Sequence, residues 1–160
     1  MPNGNAHDGI TLVTGAALGA AAWALSADVG VTASLVGAHV ISGIMFSPDL
    51  DLAAGSYDRW GPLRFAWLPY AWVIPHRSIL SHGLVIGPVL RLIYITVILG
   101  IPLWLLVAER IDPATWETGR TLLRAYAQAY RLEVMIGLVG FVTGGAAHTI
   151  ADVLSSAAKR

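Results

Sequence analysis

Four long apolar runs constrain this chain of 160 residues more than any other feature. They extend from Ile10 to Leu25, from Val31 to Phe46, from about Ile79 to Ala108 and from Val134 to Leu154. A helix of about 17 to 25 residues crosses the apolar part of a bilayer. Hydrophobic residues make up 56% of the chain and charged residues only 12%, against about 25% charged in a typical soluble domain. We therefore predict an all-α integral membrane bundle of four transmembrane helices, forming a single domain over residues 1–160.

The third apolar run is interrupted by Pro88 and Arg91. Residues 92–108 are long enough on their own to cross the bilayer. We therefore expect the earlier part of this run, which carries His82, to lie near the interface or inside the bundle.

The overall charge and the absence of cysteine exclude several kinds of function. Ten basic and ten acidic side chains give a formal net charge of zero, so no overall field attracts nucleic acid and we expect no nucleic-acid partner. Without cysteine there are no disulfides, thiolate metal sites or thiol nucleophiles. Histidine and carboxylate chemistry remains.

The connection between the second and third runs, residues 47–75, is rich in aromatic side chains. Tryptophan and tyrosine favour the headgroup level of a bilayer, where the ring and its polar edge are both satisfied. We therefore expect an aromatic interfacial loop whose partners are membrane lipids. Arg59 and Arg64 stand among these rings; they belong either to a plain interfacial belt or to a contact for a lipid phosphate or another anion.

Small residues and one histidine suggest how the helices pack. Gly140 and Gly144 are four residues apart in the last run, a spacing that lets another helix approach closely. His39 lies near the middle of the second run. It is either a ligand or a neutral imidazole that hydrogen-bonds across the bundle.

Four crossings would place the start of the chain, the 47–75 loop and the end of the chain at one membrane face. Four of the five histidines lie in these parts or directly after the loop, whereas the opposite connection, residues 109–133, contains none. Carboxylate and imidazole groups suit Zn, Mn, Fe or Mg, so we predict a divalent metal site at this face, with zinc as the first candidate. The predicted ligands are His7, Asp49, Asp51, His76, His82, His148 and Asp152.

Local spacing agrees with ligation in the last helix and in the loop. His148 and Asp152 are four residues apart, so on a helix they project from one face and can hold one ion. Asp49 and Asp51 are two apart and follow Pro48. In an extended loop their side chains would point to the same side and could chelate or bridge.

The spacing of His76 and His82 is too long for one helical face. We therefore expect His76 to precede the helix that carries His82, with Ser78 or Ser81 capping that helix or binding substrate. Seven predicted ligands exceed what one tetrahedral ion needs and fit a pair of ions that share a carboxylate.

Several segments together resemble a known family. They are Asn5 to Asp8, Met45 to Asp51, Trp60 to Tyr70, His76 to Gly83, and His148 with Asp152. With these segments the chain resembles a bacterial membrane family described only as metal-binding proteins and, more distantly, the inner-membrane metal-dependent hydrolases. A fainter likeness to zinc-dependent phospholipase C enzymes rests only on the order of histidines and aspartates. The resemblance covers nearly the whole chain and implies metal binding in a multi-pass protein of the bacterial inner membrane. For the broader group it implies a hydrolase.

We therefore expect a metal-dependent hydrolase that acts on a phosphoester or lipid-borne substrate. Asp8 or Asp152, whichever is not a ligand, is the candidate general base. Arg59, Arg64 and Arg77 are the candidate substrate contacts.

A non-catalytic subunit that holds a metal or cofactor in an oligomer or a larger membrane complex is the alternative. Ligation of a porphyrin-type pigment would require isolated histidines within the spans, as His39 is, whereas hydrolysis requires carboxylates among the histidines. Ion transport ranks last, because His39 and Arg91 are the main polar residues at membrane depth.

Overall fold

The computed structural model describes residues 4–52 and 55–157, and within them it contains helices and no strand. The predicted all-α class is confirmed. Two 3₁₀ segments, Pro48–Leu52 and Gly55–Trp67, form the connection after α2, and a π-helical turn, Thr96–Gly100, joins α5 to α6. The α-helices are α1 (Gly4–Ser26), α2 (Val29–Met45), α3 (Leu68–Val73), α4 (Ile79–His82), α5 (Ile86–Ile95), α6 (Ile101–Ala108), α7 (Pro113–Ala129) and α8 (Arg131–Ala157).

Four helical segments are long and apolar enough to cross a membrane, as predicted. They are Gly4–Ser26, Val29–Leu52, Ile86–Ala108 and Arg131–Ala157. The third begins at Ile86 and not at residue 92, because Pro88 lies in the first turn of α5, where its missing N–H breaks no helical hydrogen bond. Arg91 therefore lies within the crossing segment.

The bundle is organised around α2, which packs against both α1 and α8. The predicted close approach at Gly140 and Gly144 is confirmed. A Cβ atom at Gly140 would overlap the backbone carbonyl of Leu35, and one at Gly144 would overlap that of His39. Glycine is required at both positions because the α2 backbone occupies the space that a side chain would fill.

His39 links the three packed helices. Its Nε2 lies 2.9 Å from the Thr14 hydroxyl of α1, and its Nδ1 lies 3.0 Å from the Thr143 hydroxyl of α8. Both ring nitrogens are thus partnered, which is how a buried imidazole avoids a desolvation penalty. His39 is therefore an imidazole that hydrogen-bonds across the bundle, the second of the two predicted alternatives. It does not belong to the ligand groups described below.

The aromatic connection forms a core as well as a surface. Trp67, Tyr70 and Tyr57 are buried, whereas Phe65 and Trp72 are exposed. Trp67 contacts Trp60 at 5.1 Å and Tyr70 at 5.7 Å between ring centroids, in edge-to-face geometry. The three buried rings cluster with Leu50 of the 3₁₀ segment Pro48–Leu52 and with Ile95 of α5, and Trp60 packs against them. Edge-to-face rings stabilise one another beyond their burial. The location of this loop at headgroup level stays a prediction.

Candidate metal centre

The structure brings all seven predicted ligands to one end of the bundle. They form three overlapping groups, and within each group one ligand atom per residue lies within 4.8 Å of the others. The groups are His7 with His148 and Asp152; Asp51 with His76 and His82; and Asp49 with His82 and Asp152.

The first group joins the beginning of α1 to the last part of α8. The Nε2 atom of His7 lies 3.2 Å from Oδ1 of Asp152, and the rings of His7 and His148 stack at 3.7 Å. His148 and Asp152 share a face of α8 as predicted, with Nε2 and Oδ2 3.8 Å apart. This group is deeply buried, since His7 is 4% and His148 3% exposed.

The prediction for Asp49 and Asp51 is wrong in its geometry. These residues lie in a 3₁₀-helix and not in an extended loop. A 3₁₀-helix advances about 120° per residue, so side chains two positions apart diverge. Asp49 points to His148, with Oδ2 3.3 Å from Nε2, while Asp51 points to His76, with Oδ1 2.8 Å from Nδ1. The two aspartates therefore serve different groups.

The second group surrounds Asp51. His76 precedes α4 and His82 ends it, as predicted from their spacing. The Nδ1 atom of His82 lies 3.9 Å from Oδ2 of Asp51. Ser78 is the N-cap of α4, where its hydroxyl accepts a hydrogen bond from the Ser81 N–H, so the capping reading of Ser78 is confirmed.

Unpartnered polar atoms concentrate in these groups. Within the described parts of the chain, eight buried side-chain atoms of the predicted ligands make no hydrogen bond: His7 Nδ1, Asp49 Oδ1, Asp51 Oδ2, His82 Nε2, His148 Nδ1 and Nε2, and Asp152 Oδ1 and Oδ2. Leaving such groups unpaired is costly. A divalent cation in one of these groups would accept electron pairs from several of these atoms, so the residues present fit a metal.

Burial also keeps His82 in the form that binds metal. Desolvation lowers the pKa of His82 below its ordinary value, although the neighbouring carboxylates of Asp51 and Asp152 act in the opposite direction. A neutral imidazole is a ligand and an imidazolium is not.

A cavity of about 500 Å³ opens beside the ligands. His82 and Asp152 form part of its wall, and Arg77 forms another part. Arg77 has a positive φ of 59°, an uncommon conformation for a residue with a side chain. The remaining lining residues are Ser78, Ile79, Gly83, Thr149, Val153, Ser156 and Ala157.

Three other predicted site residues lie outside the ligand groups. Asp8 and Arg59 form a two-pronged ion pair with each other, with N–O distances of 2.9 and 2.7 Å. Arg64 pairs with Asp58 at 3.3 Å. Each arginine has a carboxylate within reach and is held by it, so the structure places neither guanidinium at the ligands.

Arg91 was not predicted as a site residue, yet it is fully buried behind His82. Its Nη1 donates to the backbone carbonyl of Ser81 at 2.6 Å. The signal that could have identified it is its position as a single charge within an apolar span.

These helices and ligand groups define a four-helix membrane protein with a candidate His/Asp metal centre. The chain belongs to the family described as uncharacterized metal-binding protein (DUF2227), whose model matches residues 2–160. Membership supports the predicted metal-binding resemblance and does not extend to hydrolysis. No curated protein and no solved structure matches the chain significantly.

Proposed function

We propose that this protein is a metal-dependent phosphoesterase of the membrane surface. The observation that carries the proposal is the cavity beside His82 and Asp152, because it brings a guanidinium and several hydroxyls next to the ligand groups. A closed structural metal site has no such opening, whereas a catalytic one requires it.

The ligand groups suit two ions of different exposure. His7 and His148 would hold an enclosed ion, and His76 and His82 one nearer the cavity. Asp152 belongs to two of the groups, since its Oδ1 faces His7 and its Oδ2 lies 3.9 Å from Nε2 of His82. We assign Asp152 as the carboxylate shared between the ions, and Asp49, which also faces both sides, as its partner.

The donor set accepts Zn, Mn, Fe or Mg, because imidazole and carboxylate are borderline and hard ligands. When bound, such a pair would lower the pKa of a bound water to about 7 and stabilise charge on a phosphoryl oxygen. Both oxygens of Asp152 serve as ligands in this assignment, and Arg59 already neutralises Asp8, so we assign neither of the two predicted candidates as the general base.

The walls of the cavity indicate an amphiphilic substrate. Arg77 and the hydroxyls of Ser78 and Thr149 can bind phosphate oxygens. Apolar side chains also line the cavity, namely those of Ile79, Val153 and Ala157. We therefore narrow the predicted substrate contacts to Arg77 and propose a lipid-borne phosphoester.

The test is hydrolysis by detergent-purified protein loaded with Zn²⁺ or Mn²⁺. The substrates are 4-nitrophenyl phosphate and phosphatidic acid in mixed micelles, and released phosphate or nitrophenol is measured. We expect Asp49→Ala to lower turnover at least about 100-fold, because it removes a ligand. Asp58→Ala is the matched control, since Asp58 is an exposed aspartate outside the ligand groups. Equal turnover by wild type and Asp49→Ala would refute the proposal.

The burial of His7 and His148 favours a second candidate, a metal that only fastens α1 to α8. In that case the protein serves as a metal-holding subunit of an oligomer or membrane complex. Metal-loaded wild type would then show no hydrolysis with either substrate, yet would migrate with a partner or as an oligomer when extracted from membranes.

A further inference from the structure

Arg91 is a buried cation in a membrane-spanning segment. It is 0% exposed, and a charge at such depth is expensive unless other groups compensate it. Tyr70, Asp51 and Asp49 interact electrostatically with its guanidinium. Two of these are predicted ligands, so Arg91 supplies a fixed positive charge behind the aspartates of the centre.

The surroundings of Arg91 are shaped to hold it. A Cβ atom at Gly145 of α8 would lie 3.1 Å from Nη2 and 2.5 Å from the Pro88 ring. The absence of a side chain there leaves room for the guanidinium between α5 and α8. Nη1 donates to Ser81, whereas Nε and Nη2 have no hydrogen-bond partner in the described ranges.

The one hydrogen bond of Arg91 leads to a predicted ligand. Nη1 donates to the carbonyl of Ser81, and the hydroxyl of Ser81 lies 2.9 Å from Nδ1 of His82. The same hydroxyl has the carbonyl of Pro75 at 3.2 Å. The hydroxyl has one proton, and a second carbonyl, that of Ser78, also lies within reach of it at 3.3 Å. With its proton directed to these carbonyls, Ser81 accepts the Nδ1–H of His82.

This arrangement selects one tautomer of His82. With the proton on Nδ1, the lone pair is on Nε2, which is buried, without a hydrogen bond among the described residues and directed toward Asp152. A second hydrogen bond of this kind is what orients a metal-binding histidine.

We propose that Arg91 is a positioning residue of the metal centre, which fixes Ser81 and through it the tautomer and direction of His82. The proposal rests on the candidate metal centre and does not require hydrolysis, so its test measures metal binding and not turnover. Arg91 is not among the residues that line the cavity.

The test uses Co²⁺ added to the full-length protein in detergent. Affinity is measured by competition with a chromophoric chelator, and ligand geometry from the visible d–d spectrum. We expect Ser81→Ala and Arg91→Met to weaken Co²⁺ binding about 10- to 100-fold and to alter the spectrum. Arg91→Lys keeps the charge and should recover part of the affinity. Ser42→Ala is the control, because Ser42 is an equally buried serine outside the ligand groups.

A second measurement concerns the metal-free protein. Long-range ¹H–¹⁵N spectra of histidine report the tautomer, and we expect His82 to carry its proton on Nδ1 in wild type and to lose that preference in Ser81→Ala. An Nε2–H tautomer in wild type would overturn the proposal. Wild-type affinity and spectrum in Ser81→Ala would do the same. If Arg91→Met does not fold, Arg91→Lys decides the role of Arg91, and a fully wild-type affinity and spectrum in that variant would overturn it. Wild type that takes up no Co²⁺ would remove the centre and the proposal together.

Discussion

Asp49, Asp51 and Asp152 are equivalent in chemistry but not in position. Asp51 belongs to one ligand group, with His76 and His82, whereas Asp152 belongs to two. The carboxylate of Asp51 can therefore bind one ion, whereas that of Asp152 can be shared between two ions.

This difference predicts the metal content of single variants. We expect two ions per chain in wild type, one in Asp51→Ala and fewer than one in Asp152→Ala, because Asp152, unlike Asp51, contributes to both ions. Elemental mass spectrometry on purified protein measures the content, with Asp58→Ala as the matched control. Equal losses from Asp51→Ala and Asp152→Ala would contradict the assignment of a shared carboxylate.

The buried imidazole of His82 predicts the pH dependence of the site. Its pKa is lowered by burial, so His82 stays neutral below the ordinary histidine pKa of about 6.5. In the metal-free protein, the unfolded chain takes up this proton first as the pH falls. Stability should therefore decline from about pH 6.5 down to the pKa of His82 in the folded state. The Cε1–H resonance of His82 measures that pKa, and titration at or above 6.5 would show the prediction to be wrong.

At the scale of elements, the position of the ligands depends on how closely α2 and α8 approach. Gly144 lies one turn before His148 on α8 and packs directly on the α2 backbone. The contact that brings the helices together thus also sets the position of a ligand.

Gly144→Ala should push the two helices apart, because its Cβ would overlap the His39 carbonyl. Overpacking of this kind typically costs about 1–3 kcal/mol, and we also expect weaker metal binding, since His148 moves away from Asp49. Thermal unfolding in detergent and metal titration measure the two effects.

The matched control is Gly119→Ala in α7, where a Cβ meets no other atom of the described structure within 4 Å. Alanine is a better helix former than glycine by about 1 kcal/mol. This control should therefore unfold at the same or a higher temperature. Destabilisation of both variants to the same extent would mean that loss of glycine, and not helix contact, is the cause.

For the whole molecule, four crossings place the metal centre and α7 at opposite membrane faces. The site lies where α1 begins, α2 ends and α8 ends, whereas α7 connects the far ends of the third and fourth spans. The absence of cysteine from the natural chain makes this arrangement easy to test.

Asp58→Cys and Glu117→Cys should react with a membrane-impermeant maleimide from opposite sides. Both residues are exposed, so accessibility within the protein does not limit labelling. Intact cells are compared with opened ones, and the cysteine-free wild type is the background. Labelling of both positions from the same side would rule out four crossings.

Much of the ligand set could be predicted from the residues alone. Burying an aspartate or histidine at the edge of an apolar run costs free energy however the helices pack, so these residues stand out in the sequence. An even number of crossings then brings the ends of those runs to one membrane face. The helical spacing of His148 and Asp152 is local, so it too was visible in the chain.

Only the tertiary structure decided which ligands share an ion and which charges support them. Asp49 and Asp51 diverge because the segment after Pro48 winds into a 3₁₀-helix, held by aromatic rings from the following connection. Arg91 reaches the back of His82 because α5 and α8 leave space for a guanidinium at Gly145. Apolar periodicity determines that helices form and where they end. The direction of each side chain depends on contacts between residues far apart in the chain, and those contacts arise only when the bundle packs.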